Sequence, residues 1–355
     1  MVCRAWSPHA QRLLFRRVIL PRNLYREPHL RGTSRNSLPS LVEAIDTATE
    51  RGRWLANSIV SLTVRHTGRL QISDPTALAT VLLRTPNLRH LDVTTMCCRF
   101  DTDTLELLAR ECGPRITSLC ILQDFSLSPR IQHSRTLNNI VAALHAVRLV
   151  EITLQLSSEP LLPPLALPPR LRLAALKLNT TVGHNIGPYV TSLVGEGAEL
   201  QLFAHKSKGS QASDRGDVLR AHAVHLRSLS VRGLDNDDAA TLALCTRLER
   251  LELACFPDPA MLALIPRSIT ALAIAGDLPG SVEELAAELA ASAFPDLKSL
   301  TWFSCIWWHA DGGPLGVLQA ACTAQGIELR VYTGSSDLLV DDAVELELRR
   351  KYIRI

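Results

Sequence analysis

One outline recurs along this chain and limits what it can fold into. It consists of an aliphatic residue, two variable ones, a second aliphatic, one variable residue and a third apolar one, as in LRHLDV from Leu88 to Val93. Further copies stand at Ile59-Leu62-Val64, Ile116-Leu119-Ile121, Leu149-Ile152-Leu154 and Leu173-Leu176-Leu178. Four more follow at Leu226-Leu229-Val231, Leu248-Leu251-Leu253, Ile269-Leu272-Ile274 and Leu297-Leu300-Trp302. The central residues are 29, 28, 33, 24, 53, 22, 21 and 28 positions apart. The long gap holds a worn copy, Leu200-Gln201-Leu202, and a last variant, Ile327-Leu329-Val331, ends the series. In an extended segment alternate side chains share a face. Leu91 and Val93 therefore point together while Asp92 points away. A single unit cannot bury its three apolar residues, but stacked units form one continuous core.

Helix signals fill the intervals. Asp74-Pro75 supplies a cap and a first-turn proline before Leu78, Val81 and Leu82. Asp103 with Glu106 reads as a capping box, and Gly113-Pro114 as a stop. Asp258-Pro259 repeats the first device, Ser281 with Glu284 opens a helix to Ala291, and Gly326 closes one begun at Pro314. Strand alternating with helix calls for a parallel sheet. Two stretches interrupt the rhythm. Ser157–Arg170 is proline-rich and reads as a stiff extended crossing; Ala204–Gly216 is polar and reads as a loop.

The period and outline resemble the leucine-rich-repeat family from about residue 55 to 334. The family also favours Asn or Cys three residues after the third apolar position, where only Cys305 conforms among the nine copies, so units of irregular length are expected. The resemblance implies an α/β leucine-rich-repeat solenoid, a curved arc with parallel strands on the concave side and helices on the convex side. A short N-terminal helix would precede it. Residues 1–22 would form an N-terminal cap, 23–334 about 11 repeats, and 335–355 a closing helix or tail.

The run Val2-Cys3-Arg4, Trp6, Leu14-Phe15 and Val18-Ile19-Leu20 resembles the end of an F-box where it leads into such repeats. Only the last third or so of that domain is matched. What this resemblance to F-box/leucine-rich-repeat proteins implies is a substrate receptor of a Skp–cullin–F-box ubiquitin ligase. Val2, Cys3, Trp6, Leu14 and Phe15 would then be what remains of the contact with the Skp-family adaptor. The alternative is a leucine-rich-repeat scaffold or inhibitor with no ubiquitin role.

Composition narrows the function. A net charge of +3 without a basic stripe argues against nucleic acid. No apolar run of about 18 residues spans a membrane. Nine cysteines, an odd number that includes adjacent Cys97 and Cys98, read as reduced thiols. The expected location is intracellular, cytoplasm or nucleus. The first 26 residues hold six arginines, but lack the serine richness of a mitochondrial presequence. No Walker loop, HExxH, GxSxG or paired CxxC occurs, so no enzyme, cofactor or metal is expected.

Residues between the leucines remain for binding. Arg65, Asp92, Thr94, Thr153, Lys177, Asn179, Arg232, Glu252, Thr301 and Phe303 are the expected concave surface. Mixed in charge, they suit a protein partner better than a phosphate-rich one. Trp307 and Trp308 follow a strand and are candidate aromatic anchors. The same register predicts that Leu176→Asp unfolds its neighbours while Lys177→Asp is nearly silent.

Overall fold

The structure is a computed structural model. It describes residues 13–20, 38–64, 75–94, 98–123, 130–154, 171–180, 187–195, 197–207, 216–234, 240–257, 259–275, 279–291, 293–304, 314–333 and 343–353. Backbone contacts divide the chain into two compact units. Unit 1 contains Met1–Leu173, Ser192–Ala198 and Leu348–Ile355; unit 2 contains Ala174–Thr191 and Glu199–Glu347.

In unit 1 five strands lie side by side in chain order, every pair parallel: β1 (Arg17–Leu20), β2 (Ser61–Val64), β3 (His90–Thr94), β4 (Ser118–Gln123) and β5 (Leu149–Leu154). Leu62, Leu91 and Leu119 fall opposite one another in the ladder, as do Val64, Val93 and Ile121. The recurring outline is thus a set of register partners. Helices α1 (Leu38–Ala44), α2 (Glu50–Ser58), α3 (Pro75–Arg84), α4 (Thr102–Glu111) and α5 (Arg130–Ala143) connect the strands. Parallel neighbours need such crossovers. Leu78, Val81 and Leu82 of α3 are fully buried, as are Leu91 and Val93. Helix and strand therefore share one apolar layer.

Three expectations change here. Arg17–Leu20, counted with the N-terminal cap, is the first strand, because Val18 and Leu20 alternate in register with Leu62 and Val64. The cap of α4 is Asp101, whose carboxylate accepts from the Thr104 amide at 2.8 Å; Asp103 already sits in the first turn. In β5 the core copy is Val147-Val150-Ile152, since Leu119 faces Val150 and Ile121 faces Ile152. Leu149 lies on the other face of the strand. A slip of two residues keeps every side chain on its face, and the apolar Leu149 and Leu154 concealed it.

Unit 2 repeats the arrangement with seven parallel strands in chain order. They are β6 (Ala175–Thr180), β7 (Leu202–Ser207), β8 (Ser228–Val231), β9 (Arg250–Leu253), β10 (Ala271–Ala275), β11 (Ser299–Ser304) and β12 (Glu328–Thr333). Leu176, Phe203, Leu229, Leu251, Leu272, Leu300 and Leu329 form one row of partners. Interspersed are α6 (Gly187–Leu193), α7 (Gly216–His222), α8 (Pro259–Leu262), α9 (Pro279–Ala290) and α10 (Pro314–Ala324). Gly326 ends α10 at a φ of 68°, a conformation glycine adopts without a Cβ clash.

The worn copy in the long gap is Leu200-Phe203-His205, not Leu200-Gln201-Leu202. Phe203 stands between Leu176 and Leu229, and His205 between Leu178 and Val231. A histidine in an aliphatic slot hid the alternation, so Ala204–Ser207, expected to begin a loop, belongs to β7. His205 is buried, and its Nε2 lies 3.4 Å from Thr180 Oγ1. After β12 comes α11 (Ala343–Ile353), where a closing helix or a tail was expected.

Each unit is thus a parallel sheet whose strands follow chain order and are joined by helices, the α/β architecture expected of a leucine-rich-repeat solenoid.

Candidate functional site

Each strand presents two faces. One row, Leu91 and Val93 or Leu176 and Leu178, enters the core with the helices. The other row carries Asp92 in β3 and Lys177 and Asn179 in β6. The expected binding residues belong to this second row, yet burial divides them. In unit 1, Asp92 and Thr94 are buried while Thr153 is half-buried. In unit 2, Thr301 and Phe303 are buried, and Lys177, Asn179, Arg232 and Glu252 are half-buried. Strands about 4.8 Å apart screen small side chains between their neighbours, so short residues such as Thr94 and Thr301 offer little surface. Arg65, Trp307, Trp308, Val2, Cys3 and Trp6 lie outside the described residues.

Phe303 packs instead of projecting. Its ring stacks on Tyr332 with centroids 5.6 Å apart and planes 25° from parallel. It clusters with buried Ala273 and Ala275, whose small side chains leave room for the ring.

The polar heart of unit 2 is a set of ion pairs on and beside this second face. The Arg227 guanidinium donates to both carboxylate oxygens of Glu249, at 2.6 and 3.1 Å, and to Glu347 of α11 at 2.9 Å. The hydrogen bonds it donates to Glu249 foremost, and also to Glu347, hold Arg227 still more firmly in its charged form, against the opposing pull of partial burial. Lys177 pairs with Glu345 of α11, both side chains less than a fifth exposed. Glu252 lies 3.2 Å from Lys206 and 3.9 Å from Arg250. Beneath these charges Ala175, Leu202 and Ala204, on the same face, are buried, as is Val344 of α11. In unit 1 the comparable contacts are Arg349 to Glu151 at 3.9 Å and the Thr117 hydroxyl donating to the Tyr352 carbonyl at 2.6 Å.

Choosing binding residues only from those beside and just past the third apolar residue of each copy missed Arg227, Glu249, Lys206, Arg250 and Glu151. Glu151 was lost with the slipped register, and Lys206 with the unrecognised strand. Arg227 and Glu249 each directly follow the first aliphatic of consecutive copies, Leu226 and Leu248. Opposite charges at one position of adjacent repeats are a signal that the sequence does carry.

Near the N-terminus of unit 1, Leu13 and Leu14 are largely exposed, and Phe15 meets Trp54 edge-to-face at 6.3 Å. A groove of about 620 Å³ lined by Leu13, Arg16, Trp54, Val60 and Asn87 opens beside them. Among the described residues no three His, Cys, Asp or Glu gather as metal ligands, and no helix is long and apolar enough to cross a membrane.

No family model matches the chain. No curated protein matches it either. Among solved structures it is similar to the leucine-rich repeat-containing protein LegL7 from Legionella pneumophila, with 13% identity and a TM-score of 0.47. That alignment covers 95% of this chain and 97% of LegL7.

Proposed function

We propose that the chain is a non-enzymatic protein-interaction scaffold that docks its partner on the second face of the unit 2 strands. The surface comprises Lys177, Asn179, Arg232 and Glu252. One observation carries this reading. These side chains stand on the face that the repeat helices leave uncovered, with opposite charges over an apolar floor of Leu202 and Ala204. Such mixed polarity around an apolar centre is how protein interfaces are built. The location it suits is intracellular.

A photo-crosslinking residue at Asn179 or Arg232 is expected to capture a partner that the same probe at Val317, exposed on α10, does not. Equal capture from both places, or none from Asn179 and Arg232, overturns the reading.

A second reading keeps the ubiquitin connection: a substrate receptor of a Skp–cullin–F-box ligase. Its support is the exposed Leu13, Leu14 and Phe15 beside the groove, leading straight into β1. Binding of a purified Skp-family adaptor, lost in Leu14→Asp with Phe15→Asp, is its expected result. An adaptor that does not bind removes it.

A further inference from the structure

Two of the ion pairs on the unit 2 face differ in kind from the rest. Arg227 meets Glu249 one residue before β8 and β9, and Lys206 and Arg250 meet Glu252 on the strands themselves. The additional carboxylates, Glu345 on Lys177 and Glu347 on Arg227, come from α11. Lys177 and Glu345 are 168 positions apart in the chain. The segment that brings them together is short. Ala343–Glu347 provides buried Val344 and half-buried Glu345, while Leu346 is 42% exposed and Glu347 is 57% exposed at its side chain. A docking surface for an amphipathic helix has this composition: an apolar strip flanked by charge of the opposite sign to the helix.

We propose that this face recognises an acidic amphipathic helix of a protein partner, and that the first turns of α11 occupy the same place in the free chain. The proposal rests on the docking face assigned above and names its partner class. A partner helix would set two carboxylates, two residues apart as in Glu345-x-Glu347, on Lys177 and Arg227, and an apolar side chain where Val344 lies. Tethering gives α11 an effective concentration in the millimolar range, so the face is closed to weak acidic helices and open to a stronger one. Ion pairs that remain partly open to water weaken with salt, which lets Ala343–Glu347 leave without unfolding the strands, while buried Leu348 and Ile353 hold the rest of α11.

The test uses the full chain and a fluorescently labelled peptide with the sequence of residues 343–353 in which Arg349, Arg350 and Lys351 are replaced by Gln, so that Glu345 and Glu347 carry its side-chain charge. Wild type is expected to bind this peptide at least tenfold more weakly than the Glu345→Ala/Glu347→Ala double variant, whose own helix is loosened. Adding Lys177→Glu to that variant is expected to abolish binding. Hydrogen exchange checks folding: amides of β6–β9 stay protected in all three proteins, while those of α11 exchange faster in the double variant. Wild type and double variant binding the peptide equally, or α11 amides equally protected in both, overturns the proposal. Should Asn179 still capture a partner by crosslinking in that event, the docking face stands and the role of α11 falls. Should it capture none, both fall.

Discussion

Lys177 and Glu345 form an ion pair in which both side chains are less than a fifth exposed, although one belongs to β6 and the other to the last helix. The pair decides how a strand residue behaves that the repeat pattern alone treats as solvated.

Leu176 and Lys177 are adjacent and face opposite ways. Leu176→Asp is expected to unfold unit 2. Truncation of such a buried side chain costs roughly 2–5 kcal/mol, and an unpaired buried charge adds to it. Lys177→Asp, nearly silent by the repeat alone, sets a carboxylate against Glu345 and is expected to cost roughly 1 kcal/mol, between an exposed pair and a buried one. Thermal melts separate the two, and Glu345→Lys added to Lys177→Asp should restore the loss.

Arg115 finishes α3. Its guanidinium donates to the carbonyls of Leu82 and Thr85 at that helix end, which also accept from Thr85 Oγ1 and the Leu88 amide, and lies 3.1 Å from Cys112 Sγ. Arg115→Met keeps the length of the side chain and removes both charge-assisted bonds, at a cost of about 1–3 kcal/mol. Urea unfolding of unit 1 should show it, and Arg115→Lys should recover only part because it lacks the fork.

Gly52 lies where α2 crosses its own entry turn. A Cβ there would stand 1.9 Å from the Asp46 carbonyl oxygen, while the Gly52 amide donates to Thr49 Oγ1 at 2.9 Å. Gly52→Ala must displace backbone and is expected to cost about 1–3 kcal/mol, as overpacking does. Gly233→Ala, with open space around its position, is expected to leave the melting temperature unchanged.

The thiols of Cys245 and Cys322 are pushed up to about 11 from an ordinary 9.0 by burial alone. Their folded forms hold the proton more tightly than the unfolded chain does. Their contribution is fully present below pH 9 and is lost as pH rises through 11. The melting temperature should therefore fall across that window, and less steeply in Cys245→Ala/Cys322→Ala. At pH 8 a maleimide should label exposed Cys255 well before either of them.

The strand ladder was legible in the chain itself wherever aliphatic spacing was clean. Leu62, Leu91 and Leu119, and Leu229, Leu251, Leu272 and Leu300, are register partners as their spacing foretold. A period of two assigns a face with no reference to distant residues. It does not assign which apolar residue pairs with which. β5 offered Leu149, Val150, Ile152 and Leu154, and only hydrogen bonding to β4 selected Val150 and Ile152. His205 shows the same limit, since its place between Leu178 and Val231 comes from the ladder and not from its polarity. The candidate site was still less visible. Which side chains of the second row stay open depends on neighbouring strands, and its charges depend on Glu345 and Glu347 arriving from far along the chain. Local spacing sets the direction of a side chain; its surroundings are a property of the folded whole.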